Sequence, residues 1–151
     1  LPGLEHEDQD LGISSIPNAL VLFNPATQLA SYGDLIFEPE RIAGLEERIG
    51  AESESVSPIH HVKKGNPPAI IFHGTADTTV LFATAAAFTQ AMKEVGNVCI
   101  LMPYENSKHG FFNYGRGDNS SFYSTVRAMD EFLTQQGFLT GTPTINQSSS
   151  E

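Results

Sequence analysis

Three short apolar runs and two helical apolar stripes set the pattern of the chain. The first run, Ala19-Leu-Val-Leu-Phe23, lies between Asn18 and Asn24 and is closed by Pro25. Ala69-Ile-Ile-Phe72 follows Pro67-Pro68 and ends at His73-Gly74, and Val98-Cys-Ile-Leu-Met102 precedes Pro103-Tyr104. Continuous runs of this length suit strands buried on both faces, as in a parallel sheet. Between the last two, Ala85, Phe88, Met92 and Val95 recur at spacings of three and four, which predicts a helix over 82–95 stopped by Gly96-Asn97. Strand, helix and strand with short links make a βαβ unit, which connects right-handed into a parallel sheet. A last helix is predicted over 121–136, with Phe122, Val126, Met129 and Leu133 as its buried face and Gly137 as its stop.

The remaining segments read differently. Residues 26–66 are acidic and carry one convincing helix, near 38–49, with Ile42, Leu45 and Ile49 on one side. An excursion this long between two sheet strands is unusual for a plain connection and is expected to cover a ligand site. Residues 1–16 are acidic and turn-rich, and the polar tail ending in Ser148-Ser-Ser150 is expected to be disordered. The chain therefore divides into 1–137, a single α/β unit, and 138–151, a tail.

Composition narrows the function classes. With 18 acidic and 8 basic residues the net charge is −10, and the longest basic run is Lys63-Lys64. Duplex binding needs clustered cations, so nucleic acid is not an expected partner. No apolar stretch approaches the ~20 residues of a membrane span. Cys99 is the only cysteine, so no internal disulfide forms, and either redox compartment suits the chain. The start, Leu1-Pro2-Gly3-Leu4-Glu5, has neither an initiator Met nor the plan of a signal peptide, and is expected to be interior to a longer chain.

The candidate chemistry sits on two loops. Asp77 follows the second strand in His73-Gly-Thr-Ala-Asp77, and His109 follows the third in Asn106-Ser-Lys-His109-Gly-Phe-Phe112. A βαβ crossover brings the chain back to the same end of the sheet, so both residues emerge above adjacent strands, on the edge where open α/β sheets place ligands. A carboxylate beside an imidazole fixes the ring's tautomer and stabilises the imidazolium, which lets the ring deprotonate a hydroxyl nucleophile. Against this, an Asp at a strand end is often only a turn cap; the His loop at this spacing favours catalysis. His73 reads as a hydrogen-bonded core residue or a wall of the site. The adjacent His60-His61 lack the spacing of a zinc pair. Phe111, Phe112 and Tyr114 suit core packing at least as well as an acyl pocket. Arg116-Gly-Asp118 matches an adhesion tripeptide by letters only, and Asn119-Ser-Ser121 and Asn146-Gln-Ser148 fit glycosylation sequons.

The two loops also carry a resemblance. Phe72-His-Gly-Thr-Ala-Asp-Thr-Thr-Val80 and the stretch from Tyr104 through His109-Gly-Phe-Phe-Asn-Tyr-Gly115 resemble the α/β-hydrolase superfamily, in particular esterase/lipase-type carboxylesterases near the acetyl xylan and feruloyl esterases. Asn18 to Pro25 and Ser57-Pro-Ile59 are similar to the corresponding strand and linker, so the likeness covers roughly 15–137. It implies the C-terminal part of an α/β-hydrolase fold, an incomplete parallel sheet with flanking helices, and a triad in the order Ser, Asp, His. Asp77 and His109 match the acid and the base. No Gly-x-Ser-x-Gly occurs, so the nucleophile elbow and its oxyanion amides are expected upstream of Leu1, and this chain alone is expected to be inactive. Leu81 stands where such sequences often have proline, and Glu105-Asn-Ser-Lys108 replaces a more Gly-rich approach to the histidine. The implied activity is hydrolysis of a small or carbohydrate ester, with no metal or cofactor. The alternatives are a prolyl-oligopeptidase-like peptidase and a non-catalytic homologue.

Overall fold

The computed structural model describes residues 8, 10 and 12–145. Three parallel strands, β1 (Leu20–Phe23), β2 (Ala69–Gly74) and β3 (Cys99–Tyr104), form a sheet in the order β1-β2-β3. Pairing runs Leu20 with Ala69 through Phe23 with Phe72, and Ala69 with Cys99 through Gly74 with Tyr104. All three strands therefore end on one edge. This is the incomplete α/β-hydrolase sheet that the apolar runs and loops imply.

β2 is the buried axis of the molecule, and its alternation divides the core in two. Ala69 and Ile71 face α3 (Phe82–Glu94), where they meet Ala85, Phe88 and Met92. Ile70 and Phe72 face α4 (Ser120–Gln135) and meet Phe132, Met129 and Leu133. The continuous apolar run of β2 thus serves two helical layers at once. β1 shares this alternation but is only half-buried along its length.

Both long helices end as their sequences imply. Gly96 takes φ 82°, and the Asn97 amide donates to the Met92 carbonyl at 2.9 Å. Gly137 takes φ 79°, with the Phe138 amide on the Leu133 carbonyl at 2.9 Å. These are the left-handed C′ glycines of Schellman caps.

One expectation needs correction. The buried positions of α4 are Thr125 and Phe132, whereas Phe122, Val126, Met129 and Leu133 are half-buried. Phe132 fits over Ile70 and Phe72 with Met129 and Leu133 of the stripe packed beside it, while Thr125 satisfies its hydroxyl on the Phe122 carbonyl. α1 (Pro39–Ile49) forms as its spacing predicts, but none of its residues is buried, and Ile49 is 40% exposed. The 26–66 excursion also holds a short helix, α2 (Ser53–Val56), and a 3₁₀ turn at Pro58–His61. Residues 140–145 form no helix or strand, and residues 146–151, with the Asn146 sequon, lie outside the described residues. Among the described residues, no helix is long and apolar enough to cross a membrane.

Candidate active site

The shared strand edge carries Asn24 after β1, Asp77 after β2 and His109 after β3. Asp77 Oδ2 and His109 Nδ1 are 2.8 Å apart. The two residues that the sequence singled out are therefore in hydrogen-bond contact.

The loops are laced together before they reach these side chains. Thr75 N donates to the Tyr104 carbonyl at 3.0 Å, Ala76 N to the Ser107 carbonyl at 3.1 Å, and Asn106 N to Thr75 Oγ1 at 2.9 Å. Gly74 is required where they cross: a Cβ there would stand 2.2 Å from the Ser107 carbonyl oxygen. Any side chain at 74 would push the histidine loop off the aspartate loop. The register between acid and base is thus set by backbone contacts.

Asp77 is 4% exposed and uses its two oxygens for different tasks. Oδ1 accepts the Thr79 amide at 2.8 Å and the Val80 amide at 3.0 Å, an Asx turn that leads towards α3. Oδ2 faces the imidazole. One oxygen thus serves the turn, and the other is left for the imidazole. Burial pushes the Asp77 carboxyl up, but the Val80 amide, the His109 ring and the Thr79 amide outweigh it and hold the pKa below the ordinary carboxylate value.

With its Nδ1 proton directed at Asp77, His109 keeps Nε2 as a lone-pair nitrogen with no hydrogen-bond partner among the described residues. The ring is 44% exposed. This arrangement can take a proton from a hydroxyl and hold the resulting positive charge against a fixed anion.

Sequence reasoning missed Asn24. It is 4% exposed, sits in the left-handed region at φ 43°, and donates from Nδ2 to Asp77 Oδ2 at 2.7 Å. Its Nδ2 also lies 3.3 Å from His109 Nδ1, a close approach only, since that nitrogen carries the proton for Asp77. The available signal was an Asn-Pro pair ending a buried strand, and Asn is among the few residues that accept φ > 0. His73 is fully buried, its Nε2 2.9 Å from the Val80 carbonyl and 3.5 Å from Asp77 Oδ2. It braces the turn that holds the acid.

The other candidates fall elsewhere. Phe111 packs on Tyr104 with ring centroids 4.4 Å apart, and Phe112 on Phe23 at 4.7 Å, so both are structural neighbours of the site, whereas Tyr114 is 68% exposed. His60 Nδ1 meets Ser57 Oγ at 3.0 Å and His61 Nε2 meets the Ser55 carbonyl at 2.8 Å, which uses both rings in the local turn. Among the described residues, no group of three or more His, Cys, Asp or Glu side chains is arranged to hold a metal ion. Arg116 and Asp118 lie in the turn before α4, where Asp118 caps Ser120 and Asn119 Oδ1 accepts the Gly115 amide.

Known proteins resemble the chain over most of its length. The model of the prolyl oligopeptidase family matches residues 19–137. Among solved structures, a thermophilic esterase from the Planctomycetes species Thermogutta terrifontis, with propionate bound, is 48% identical at a TM-score of 0.85, covering 95% of this chain and 52% of its own. Thermogutta terrifontis esterase 2 phosphonylated by sarin is 48% identical at a TM-score of 0.86, covering 93% of this chain and 52% of its own. The same esterase phosphorylated by paraoxon is 45% identical at a TM-score of 0.78, covering 93% and 48%. The chain thus spans about half the length of the esterases it matches. No curated protein matches.

Proposed function

The chain belongs to the prolyl oligopeptidase family, and on that premise we propose that it provides the acid and base of a serine carboxylic-ester hydrolase. The observation that carries the reading is the 2.8 Å contact between Asp77 Oδ2 and His109 Nδ1, on a ring that is 44% exposed. The serine comes from residues outside Leu1–Glu151, since no Gly-x-Ser-x-Gly occurs within them. His109 Nε2 takes the serine proton as the oxygen attacks the ester carbonyl. It then gives that proton to the departing alcohol, and Asp77 fixes the ring and stabilises the imidazolium throughout. Water, deprotonated by the same nitrogen, releases the acid from the acyl-enzyme. The substrate is a small ester, with acylated sugars in the same class.

The esterase matched at 45–48% identity supports ester over peptide cleavage. It is modified by organophosphorus reagents, whose electrophilic phosphorus is attacked by activated hydroxyl nucleophiles. The family model itself favours a second reading, a serine peptidase, which uses the same acid and base. The test is hydrolysis of 4-nitrophenyl acetate, an acetylated xyloside and a proline-containing peptide anilide by the parent protein. The expected result is ester turnover, reduced on the order of 10⁴-fold or more by His109→Ala, with the peptide untouched. The 151-residue chain alone is expected to be inactive. Peptide cleavage without ester cleavage would favour the second reading, and His109-dependent turnover by the isolated chain would overturn the assignment of the nucleophile.

A further inference from the structure

A cavity of about 350 Å³ opens between α1 and the turn that follows Asp77. Its α1 wall is formed by Arg41, Gly44, Leu45 and Arg48, which lie on one helix face at spacings of three and four. The opposite wall includes Thr79 and Val80, whose amides hold Asp77. The cavity and the acid thus share a turn.

Its chemistry is unlike the rest of this acidic chain. Two of the 8 Lys and Arg residues line it, and none of its lining residues is Asp or Glu. Neither guanidinium forms an ion pair with a described carboxylate. Arg41 is held in place all the same, its guanidinium 4.3 Å from the ring centroid of Phe37, which is itself buried. Gly44 leaves a gap between the two arginines, where a Cβ would meet nothing within 4 Å. Gln28, 3% exposed, lines the same cavity, and its Nε2 donates to the Leu35 carbonyl at 3.0 Å, which fixes the side chain in the wall.

We propose that this cavity recognises a free carboxylate carried by the substrate: the carboxylate is clamped by Arg41 and Arg48, and an apolar body lies along Leu45 and Val80. Arginine suits this task because its planar fork matches a carboxylate and stays charged when partly desolvated. The volume fits one ring-sized group, at the lower end of small-molecule sites. The identification of the ligand as part of an ester rests on the hydrolase reading; the pocket's preference for anions does not.

The experiment measures binding of 4-hydroxyphenylacetate, its neutral amide, and phenylacetate, which lacks the hydroxyl, by NMR shifts of the Gly44 and Val80 amides. The acid is expected to bind roughly tenfold more tightly than the amide, with phenylacetate binding as tightly as its hydroxylated analogue. Arg41→Gln and Arg48→Gln, both exposed positions, each remove the advantage of the acid, and Gly44→Leu blocks all three ligands. Equal binding of acid and amide, no binding of the acid, or arginine variants that change nothing would overturn the proposal. If the parent protein hydrolyses no ester while this binding pattern holds, the hydrolase reading falls and the pocket stands. If esters turn over while the three ligands bind alike, the pocket assignment falls instead.

Discussion

Asn24 and Asp77 meet through the same carboxylate oxygen that serves His109: Asn24 Nδ2 lies 2.7 Å from Asp77 Oδ2, and His109 Nδ1 lies 2.8 Å from it. Together with the two amides on Oδ1, this gives the buried carboxylate four donors, enough to fix its plane and keep it ionised. One strand end per donor or acceptor is the simplest description of the site: β1 brings the amide, β2 the acid, β3 the base.

Asn24→Asp isolates the charge in this relationship. Asp tolerates the left-handed backbone almost as well as Asn, so the fold at φ 43° is kept. The substitution replaces a donor by a second buried carboxylate against Asp77, and two such groups cannot both ionise cheaply. The variant should lose about 1–3 kcal/mol at pH 7, the cost of a buried polar group left without its partner. Part of that loss should return as pH falls towards 5 and the pair shares a proton. Urea unfolding at both pH values checks this; an equal loss at pH 5 and pH 7 would refute the charge explanation.

Gly74→Ala tests whether backbone contact sets the distance between acid and base. The added Cβ would stand 2.2 Å from the Ser107 carbonyl oxygen, and a backbone atom cannot swing aside as a side-chain tip can. The histidine loop must move, with an overpacking cost of about 1–3 kcal/mol. The expected outcome is a lowered unfolding midpoint together with shifted resonances at Ser107 and His109. A variant of unchanged stability and unchanged spectrum would show that the loops are not held by this crossing.

Asp77 also makes stability depend on pH in a defined direction. Its pKa in the fold lies below the ordinary value of 3.8 because the Val80 and Thr79 amides and His109 outweigh its burial. A depressed carboxyl contributes stability that is fully present above the unfolded value and is lost as pH falls through the folded one. The loss should therefore be confined to the region below about pH 4. Asp77→Asn should be less stable than the parent at pH 7 by about 1.5–3 kcal/mol, the usual contribution of hydrogen bonds to a charged group. The gap should narrow in acid, which denaturant curves at pH 7 and pH 3 would reveal.

How much was legible in the sequence follows from what each signal measures. Asp77 and His109 could be found because the crossover that separates them also returns the chain to the same edge, a consequence of topology alone. The ends of α3 and α4 were legible because Gly96 and Gly137 announce a left-handed backbone locally. Asn24 was not, because its role depends on pairing between β1 and β2, which are separated by the 26–66 excursion. Gly74 was visible only as one letter of a motif; the reason for it, the carbonyl of Ser107, lies on another loop. The clearest miss, the face of α4, came from reading apolar spacing as burial.

That miss gives the last prediction. Apolar periodicity assigned the core to Phe122, Val126, Met129 and Leu133, yet Phe132 is 2% exposed and sits on Ile70 and Phe72 of β2, while Val126 is half-buried. The amphipathic stripe locates the helix to within one side chain of its true contact line, because half-buried positions are apolar too. The energies must separate the two descriptions. Phe132→Ala opens a cavity over the buried strand, beside side chains already packed, and should cost about 3–5 kcal/mol. Val126→Ala removes two methyl groups that are partly in water and should cost about 1 kcal/mol. Phenylalanine loses more carbons than valine, so each cost is read per carbon removed: equal values mean that Val126 is as buried as Phe132, and a larger value at 132 means that the helix packs chiefly through it.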